Sequence, residues 1–144
     1  MVIQLVVDKE IYLVTNVYGP QRMYGTLSFL DSLQKLREQH AKIPWILGGD
    51  FNMIKSFSEK KGGTRILNKD SYAFQTFIDN MKLMDIVMNN GTFTWNNKRE
   101  GESQVASKLD RLIISEDLML KDKDIVASVL PFGGIDHWPV QLDI

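Results

Sequence analysis

Cysteine is absent from this chain of 144 residues, which excludes disulfides and thiolate metal sites and fits a reducing compartment. Long apolar runs are absent too: no stretch approaches the roughly 20 residues that span a bilayer. Neither sign of charge dominates, since 17 Lys and Arg stand against 18 Asp and Glu for a net charge of −1. No overall basic field therefore advertises nucleic acid, and polyanion binding would need a local patch. Residues 1–7 are β-like and lack the basic region and cleavage site of a signal peptide. Nuclear or cytoplasmic residence follows as the expectation. What is present is an ordinary globular mixture, 44% apolar and 24% charged, with enough length for one domain and its core.

Two β-branched runs, 2–7 and 11–17, flank the polar triplet Asp8-Lys9-Glu10 and read as a hairpin. Tyr18-Gly19-Pro20 stops the second arm. Leu27, Leu30, Leu33 and Leu36 recur at helical spacing within 26–40, with Lys35, Arg37 and Glu38 outward and His40 as a favourable charge at the C-terminal end. Residues 44–49 form a short apolar strand buried on both faces. The stretch 53–70 reads as a long polar loop, and 70–81 as a second helix with Phe74, Phe77, Ile78 and Met81 inward. Strands are expected at 92–95, 108–114, 125–130 and 137–144, with Ser115 capping a short helical turn. The alternation of strands with helices indicates a layered α/β domain. A hairpin that opens the chain with nothing before it to cover its apolar faces suggests a domain entered partway, prone to self-association through open strand edges.

The most informative segment is Trp45-Ile46-Leu47-Gly48-Gly49-Asp50-Phe51-Asn52. An apolar run breaks at two glycines and delivers a carboxylate and a carboxamide at a strand end. A spacing of two keeps both side chains on one side of an extended backbone. The pair suits phosphate chemistry: Asp50 can accept a proton or hold a hard cation, and Asn52 can donate hydrogen bonds to a charged oxygen. The plain alternative for both is a polar turn satisfied by backbone groups. Leu109-Asp110-Arg111 and Asp136-His137 strengthen the chemical reading, because each also lies beside a strand-like run.

Taken in order, Asn16-Val17-Tyr18-Gly19-Pro20, Gly48-Gly49-Asp50-Phe51-Asn52, Thr94-Trp95, Ser107-Lys108-Leu109-Asp110-Arg111 and Asp136-His137 resemble the endonuclease/exonuclease/phosphatase superfamily. The likeness is closest to endonuclease domains of plant LINE-type (non-LTR) retrotransposons, to which Ser58-Glu59-Lys60-Lys61-Gly62-Gly63 and Phe93-Thr94-Trp95-Asn96-Asn97 contribute. It runs from about residue 11 to the C-terminus. The resemblance implies a two-layer, DNase I-like α/β sandwich, of which residues 1–144 would be one partial domain. The family's early Asn and metal-binding Glu have no counterpart here, so the chain reads as the C-terminal three-fifths, incomplete at the N-terminus.

By resemblance the activity is Mg²⁺- or Mn²⁺-dependent hydrolysis of a phosphodiester, nicking DNA, with a reverse transcriptase domain in the parent polyprotein. Asp50 would orient or deprotonate the attacking water, and Asn52 would hold a phosphate oxygen. His137 would supply a positive or hydrogen-bonding group, with Asp110 fixing its tautomer. The alternative for Asp110 is an ordinary salt bridge with Arg111. Asp136 belongs to the final pair and is the candidate metal ligand, although adjacent residues of a regular strand cannot both face one point. Tyr18 would bring a hydroxyl near the phosphate, with packing as its alternative. Thr94 and Ser107 correspond to substrate-side positions, while Trp95 reads as core. Ile135 departs from the Ser usual before Asp-His and follows Gly133-Gly134. Lys55, Lys60, Lys61 and Arg65, and then Lys98, Arg99 and Lys108, are available for phosphate contacts in two loops, interleaved with Glu59, Glu100 and Glu102. An inert remnant that binds nucleic acid weakly, and a phosphatase of the same superfamily, are the competing readings.

Overall fold

A computed structural model describes the chain except for Arg22, Arg65, Asp122, Lys123 and residues 132–135. The departure at Ile135 and the basic side chain of Arg65 lie outside the described residues. Ten strands are described: β1 (Val2–Val7), β2 (Glu10–Tyr18), β3 (Trp45–Asp50), β4 (Lys60–Lys61), β5 (Leu83–Asp85), β6 (Trp95–Asn96), β7 (Ala106–Ser107), β8 (Asp110–Ser115), β9 (Val126–Val129) and β10 (Val140–Asp143). Three helices accompany them: α1 (Thr26–Gln39), α2 (Lys69–Asn80) and α3 (Glu116–Lys121).

The main sheet runs β1-β2-β3-β8-β5. The hairpin turns at Asp8 and Lys9, whose φ angles of 49° and 70° are the left-handed pair that a two-residue loop requires. β2 then pairs parallel with β3 after the α1 crossover, and β3 pairs antiparallel with β8. Side chains alternate across this sheet and fill two cores. Leu13, Trp45, Leu47, Phe51 and Ile113 pack against Leu30 and Leu33 of α1 and Phe74, Phe77 and Ile78 of α2. Ile46, Leu112 and Ile114 pack on the other face against Leu118 of α3 and Ala127 of β9, with Val140 and Leu142 of β10 alongside. The α/β layering expected from the sequence is therefore present, and the chain occupies both faces of its main sheet. Among the described strands, β1 alone is exposed at every residue.

Several local expectations shift. Leu27 points outward, 74% exposed, because a strict spacing of three lags each 3.6-residue turn by about 60°. The strand expected over 92–95 shrinks to β6, the one over 108–114 begins only at Asp110 as β8, and β7 forms just before it at residues 106–107. The last strand begins only at Val140, after Pro139, which has no N–H for a ladder. Residues 53–70 are not wholly loop, since β4 joins β7 and β6 in a small sheet.

Candidate active site

The ends of three central strands create one row of functional groups. Tyr18 of β2 is in register with Asp50 of β3, and Asp50 is in register with Asp110 of β8. Cross-strand partners project to the same side of a sheet, so these three share a face. Two glycines allow the strand ends to close up. Gly49 has φ +134°, and a Cβ there would lie 2.2 Å from the Val17 carbonyl oxygen. A Cβ on Gly19 would lie 2.2 Å from the carbonyl oxygen of Phe51.

Beyond the strand the chain bends sharply. Phe51 drives its ring into the helix-side core against Phe29 and Phe74. That anchor turns Asp50 and Asn52 the other way. Asn52 adopts φ +54°, a left-handed conformation that Asn tolerates better than most residues. Its backbone N–H donates to Asp50 Oδ1 at 2.8 Å, and its side-chain Nδ2 donates to the Gly19 carbonyl at 2.9 Å. The turn reading and the chemical reading of this pair thus coexist: one amide hydrogen braces the loop while the amide has two.

His137 arrives from the opposite side. An isolated bridge pairs it with Trp95, and Trp138 N–H donates to the Thr94 carbonyl at 2.8 Å. The imidazole Nδ1 lies 2.9 Å from Asp110 Oδ2, and Nε2 lies 3.9 Å from Asp50 Oδ2. The histidine therefore stands between two carboxylates, one orienting it and one facing its reactive nitrogen. Burial opposes its charged form, but the Asp110 hydrogen bond and the negative field of Asp110, Asp50 and Asp136 outweigh it and raise its pKa above the ordinary value. Burial raises the pKa of Asp50 as well, against the pull of the Asn52 N–H. A raised carboxylate beside a raised imidazole is a base–acid pair with chemical potential.

The remaining sequence candidates are distributed differently. Tyr18 is at the row's end, largely exposed, its hydroxyl accepting from Gln21 Nε2 at 2.7 Å. Thr94 has no exposed surface, so it cannot meet a substrate as expected. Its hydroxyl instead accepts the N–H groups of Leu109 and Asp110 at 3.0 and 2.9 Å. Thr94 is a brace for the Asp110 backbone. Ser107 is buried on β7 but borders a hollow of about 210 Å³ shared with Asn52, Lys60 and Asn68. Asp136 turns away from its neighbour and accepts the Trp95 indole N–H at 3.2 Å, which holds its carboxylate below the ordinary range.

The expected metal centre depends on its donor set. Mg²⁺ and Mn²⁺ need several oxygen ligands at one point. Asp110 is engaged by His137, Asp50 by the Asn52 N–H, and Asp136 by Trp95. Among the described residues no three His, Asp or Glu side chains group so as to hold an ion. The described carboxylates do not fit a divalent centre by themselves.

The alternative partner for Asp110, Arg111, faces the opposite side of β8. Its guanidinium donates to Glu59 Oε1 at 2.8 Å and Asp85 Oδ2 at 2.6 Å, with Phe74 stacked 5.4 Å away. Lys55 and Lys108 also bind Asp85, at 2.7 and 3.1 Å, so these two lysines are not poised for phosphates as the loop composition predicted. Sequence reasoning named Glu59 only within the block Ser58-Glu59-Lys60-Lys61-Gly62-Gly63 and as a charge interleaved with lysines, and it did not single out Asp85.

With this geometry in place, the chain can be set beside known proteins. No protein-family model matches the sequence, and no curated protein matches it. Solved structures do. The endonuclease domain of TRAS1, a telomere-specific non-LTR retrotransposon, is 19% identical, with 99% of this chain and 62% of that one aligned at TM-score 0.68. The 3′ phosphatase NExo from Neisseria, bound to a product DNA hairpin, is 17% identical, covering 99% of this chain and 63% of its own at TM-score 0.69. An endonuclease/exonuclease/phosphatase family protein from Bacteroides thetaiotaomicron is 17% identical, covering 94% and 50% at TM-score 0.60. The chain has the DNase I-like fold. It spans less than two thirds of the length of each of these DNase I-like structures.

Proposed function

We propose that the chain is the phosphodiester-hydrolysing portion of a retrotransposon-derived endonuclease that nicks DNA, of the plant LINE type. The observation that carries the reading is the His137 imidazole held between Asp110 and Asp50, 2.9 and 3.9 Å away, beside Asn52. In this mechanism Asp50 takes the proton of a water attacking phosphorus, the bond from phosphorus to the leaving sugar oxygen breaks, and that oxygen takes a proton from solvent. Its raised pKa makes it a better base than an ordinary aspartate. The imidazolium of His137, kept in one tautomer by Asp110, stabilises negative charge growing on the phosphoryl oxygens. The second amide hydrogen of Asn52 and the hydroxyl of Tyr18 bind non-bridging oxygens. The Mg²⁺ or Mn²⁺ dependence implied by the resemblance requires donors beyond the described carboxylates. DNA as partner is supported by the likeness to a DNA-bound 3′ phosphatase. A parent polyprotein with a reverse transcriptase and a nuclear or cytoplasmic setting complete the proposal.

A second reading is favoured by one specific observation, the lack of a grouped donor set among the described residues. In it the chain keeps the fold and binds DNA weakly without cutting. Supercoiled plasmid with Mg²⁺ or Mn²⁺ separates the two. Nicking that disappears in both Asp50→Ala and His137→Ala supports the endonuclease. Retarded but uncut plasmid supports the inert binder. Release of phosphate from a 3′-phosphorylated hairpin, without nicking, would move the proposal to a phosphatase.

A further inference from the structure

Arg111 carries no part of the chemistry above, yet it is a fully buried charge one residue from Asp110. Its Nη2 donates to the Met53 carbonyl at 2.9 Å and to the Lys108 carbonyl at 3.2 Å. Met53 directly follows Asn52, and Lys108 lies two residues before Asp110. The guanidinium therefore joins the two segments that carry opposite sides of the site. Glu59 closes the join. It receives both Arg111 nitrogens, accepts the Lys55 N–H at 2.6 Å, and offers its own carbonyl to the Lys108 N–H at 2.8 Å.

We infer that Arg111, locked by Glu59, is a positioning residue that sets the separation between the Asp50–Asn52 turn and the Asp110–His137 pair. The geometry favours this over a purely stabilising charge cluster. Buried ion pairs add little net stability relative to apolar packing, whereas a planar fork with five donors fixes several partners at once. Lysine, a point charge on a flexible stem, cannot hold Met53, Lys108, Glu59 and Asp85 together. The consequence for turnover rests on the phosphodiesterase reading; the positioning itself does not.

The test uses the low-field proton resonance of the His137 Nδ1–H bonded to Asp110, assigned by its loss in His137→Gln. Arg111→Lys and Glu59→Gln should shift or broaden that resonance while circular dichroism and a cooperative melt report an intact fold. Leu33→Ala, a destabilising change in α1 outside the network, should leave it at the wild-type position. If the chain nicks DNA, both network variants should lower kcat on the order of 10–100-fold with KM nearly unchanged, as for a small misplacement of catalytic groups. A folded Glu59→Gln with the resonance unmoved overturns the inference, and decides the matter even if Arg111→Lys does not fold. A wild-type chain that never nicks refutes the phosphodiesterase reading only, because the resonance still reports the positioning.

Discussion

Asp110 and Arg111 are adjacent on β8 and stand in opposite electrostatic worlds. On the Arg111 side two carboxylates meet three cations. Burial opposes the charge on Glu59 and Asp85, but the guanidinium and the lysines hold both pKa values below the ordinary range. On the Asp110 side two carboxylates share one histidine, and burial drives Asp50 upward. The first environment completes its charges and keeps them fixed. The second leaves one carboxylate underpaid in counter-charge and one imidazole eager for a proton. That imbalance suits proton transfer, and under the proposed function it makes Asp110's side the reactive one.

The sharpest way to break this contrast is to remove the cation from the completed side. Arg111→Leu leaves Glu59 and Asp85 buried beside lysines alone, and should destabilise the chain by about 3–5 kcal/mol in urea unfolding. A loss under about 1 kcal/mol would mean that the cluster is no more than a solvated surface pair. A smaller effect is expected at Thr94, which braces the Asp110 backbone. Thr94→Val removes the acceptor of two buried N–H groups and should cost about 1–3 kcal/mol, whereas Thr94→Ser keeps the acceptor and most of the stability. Equal losses in the two variants would assign the effect to packing rather than to the brace.

Acid should separate the two sides further. Glu59 and Asp85 have depressed folded values, so their stabilisation is present above their ordinary values of 4.5 and 3.8 and is lost as pH falls through the folded ones. Asp50 has a raised folded value, so its contribution runs the other way: favourable below 3.8 and lost as pH rises through the folded value. Melting temperatures from pH 7 to pH 3 should fall less steeply for Glu59→Gln than for wild type. Asp50→Asn should melt higher than wild type at neutral pH, where it removes a buried negative charge. If the chain cuts DNA, its rate should decline on the acid side as Asp50 protonates, above 3.8, and on the alkaline side as His137 deprotonates, above 6.5. A rate independent of pH between 3 and 9 would remove both groups from the chemistry, since neither titration would then be felt.

How much of this could be read beforehand depends on the range of the interactions. Asp50 was legible at a strand end marked by glycines and Asp110 beside an apolar strand-like run, whereas Asn52 lies past the strand at φ +54°, where the two-residue period no longer holds. His137 was legible as half of a pair, but which of Asp136 and His137 faces the site was not. The bridge to Trp95 decides it, and that bridge joins residues 42 positions apart. Thr94 was misread for a similar reason: a hydroxyl on a strand looks the same in sequence whether it meets solvent or a backbone N–H 15 residues on. Arg111 pairs with Glu59 and Asp85 across 52 and 26 residues, a selection made by folding and invisible to local pattern. β5, three residues long, is too short for alternation to register.

The finest discrimination concerns Asn52, which belongs to both the loop and the chemistry. Substitution by glycine removes the 2.9 Å hydrogen bond to the Gly19 carbonyl, worth about 0.5–1.5 kcal/mol. It also relieves the left-handed backbone at φ +54°, a conformation glycine adopts freely. These terms oppose one another, so Asn52→Gly should change unfolding free energy by less than about 1 kcal/mol. The amide proposed to bind phosphate is lost outright, and nothing in glycine replaces it. A variant that melts with the wild type but no longer nicks would place Asn52 with the unbalanced, reactive side of β8. One that melts far lower would place it with the Arg111 side, as a structural turn whose chemistry is incidental.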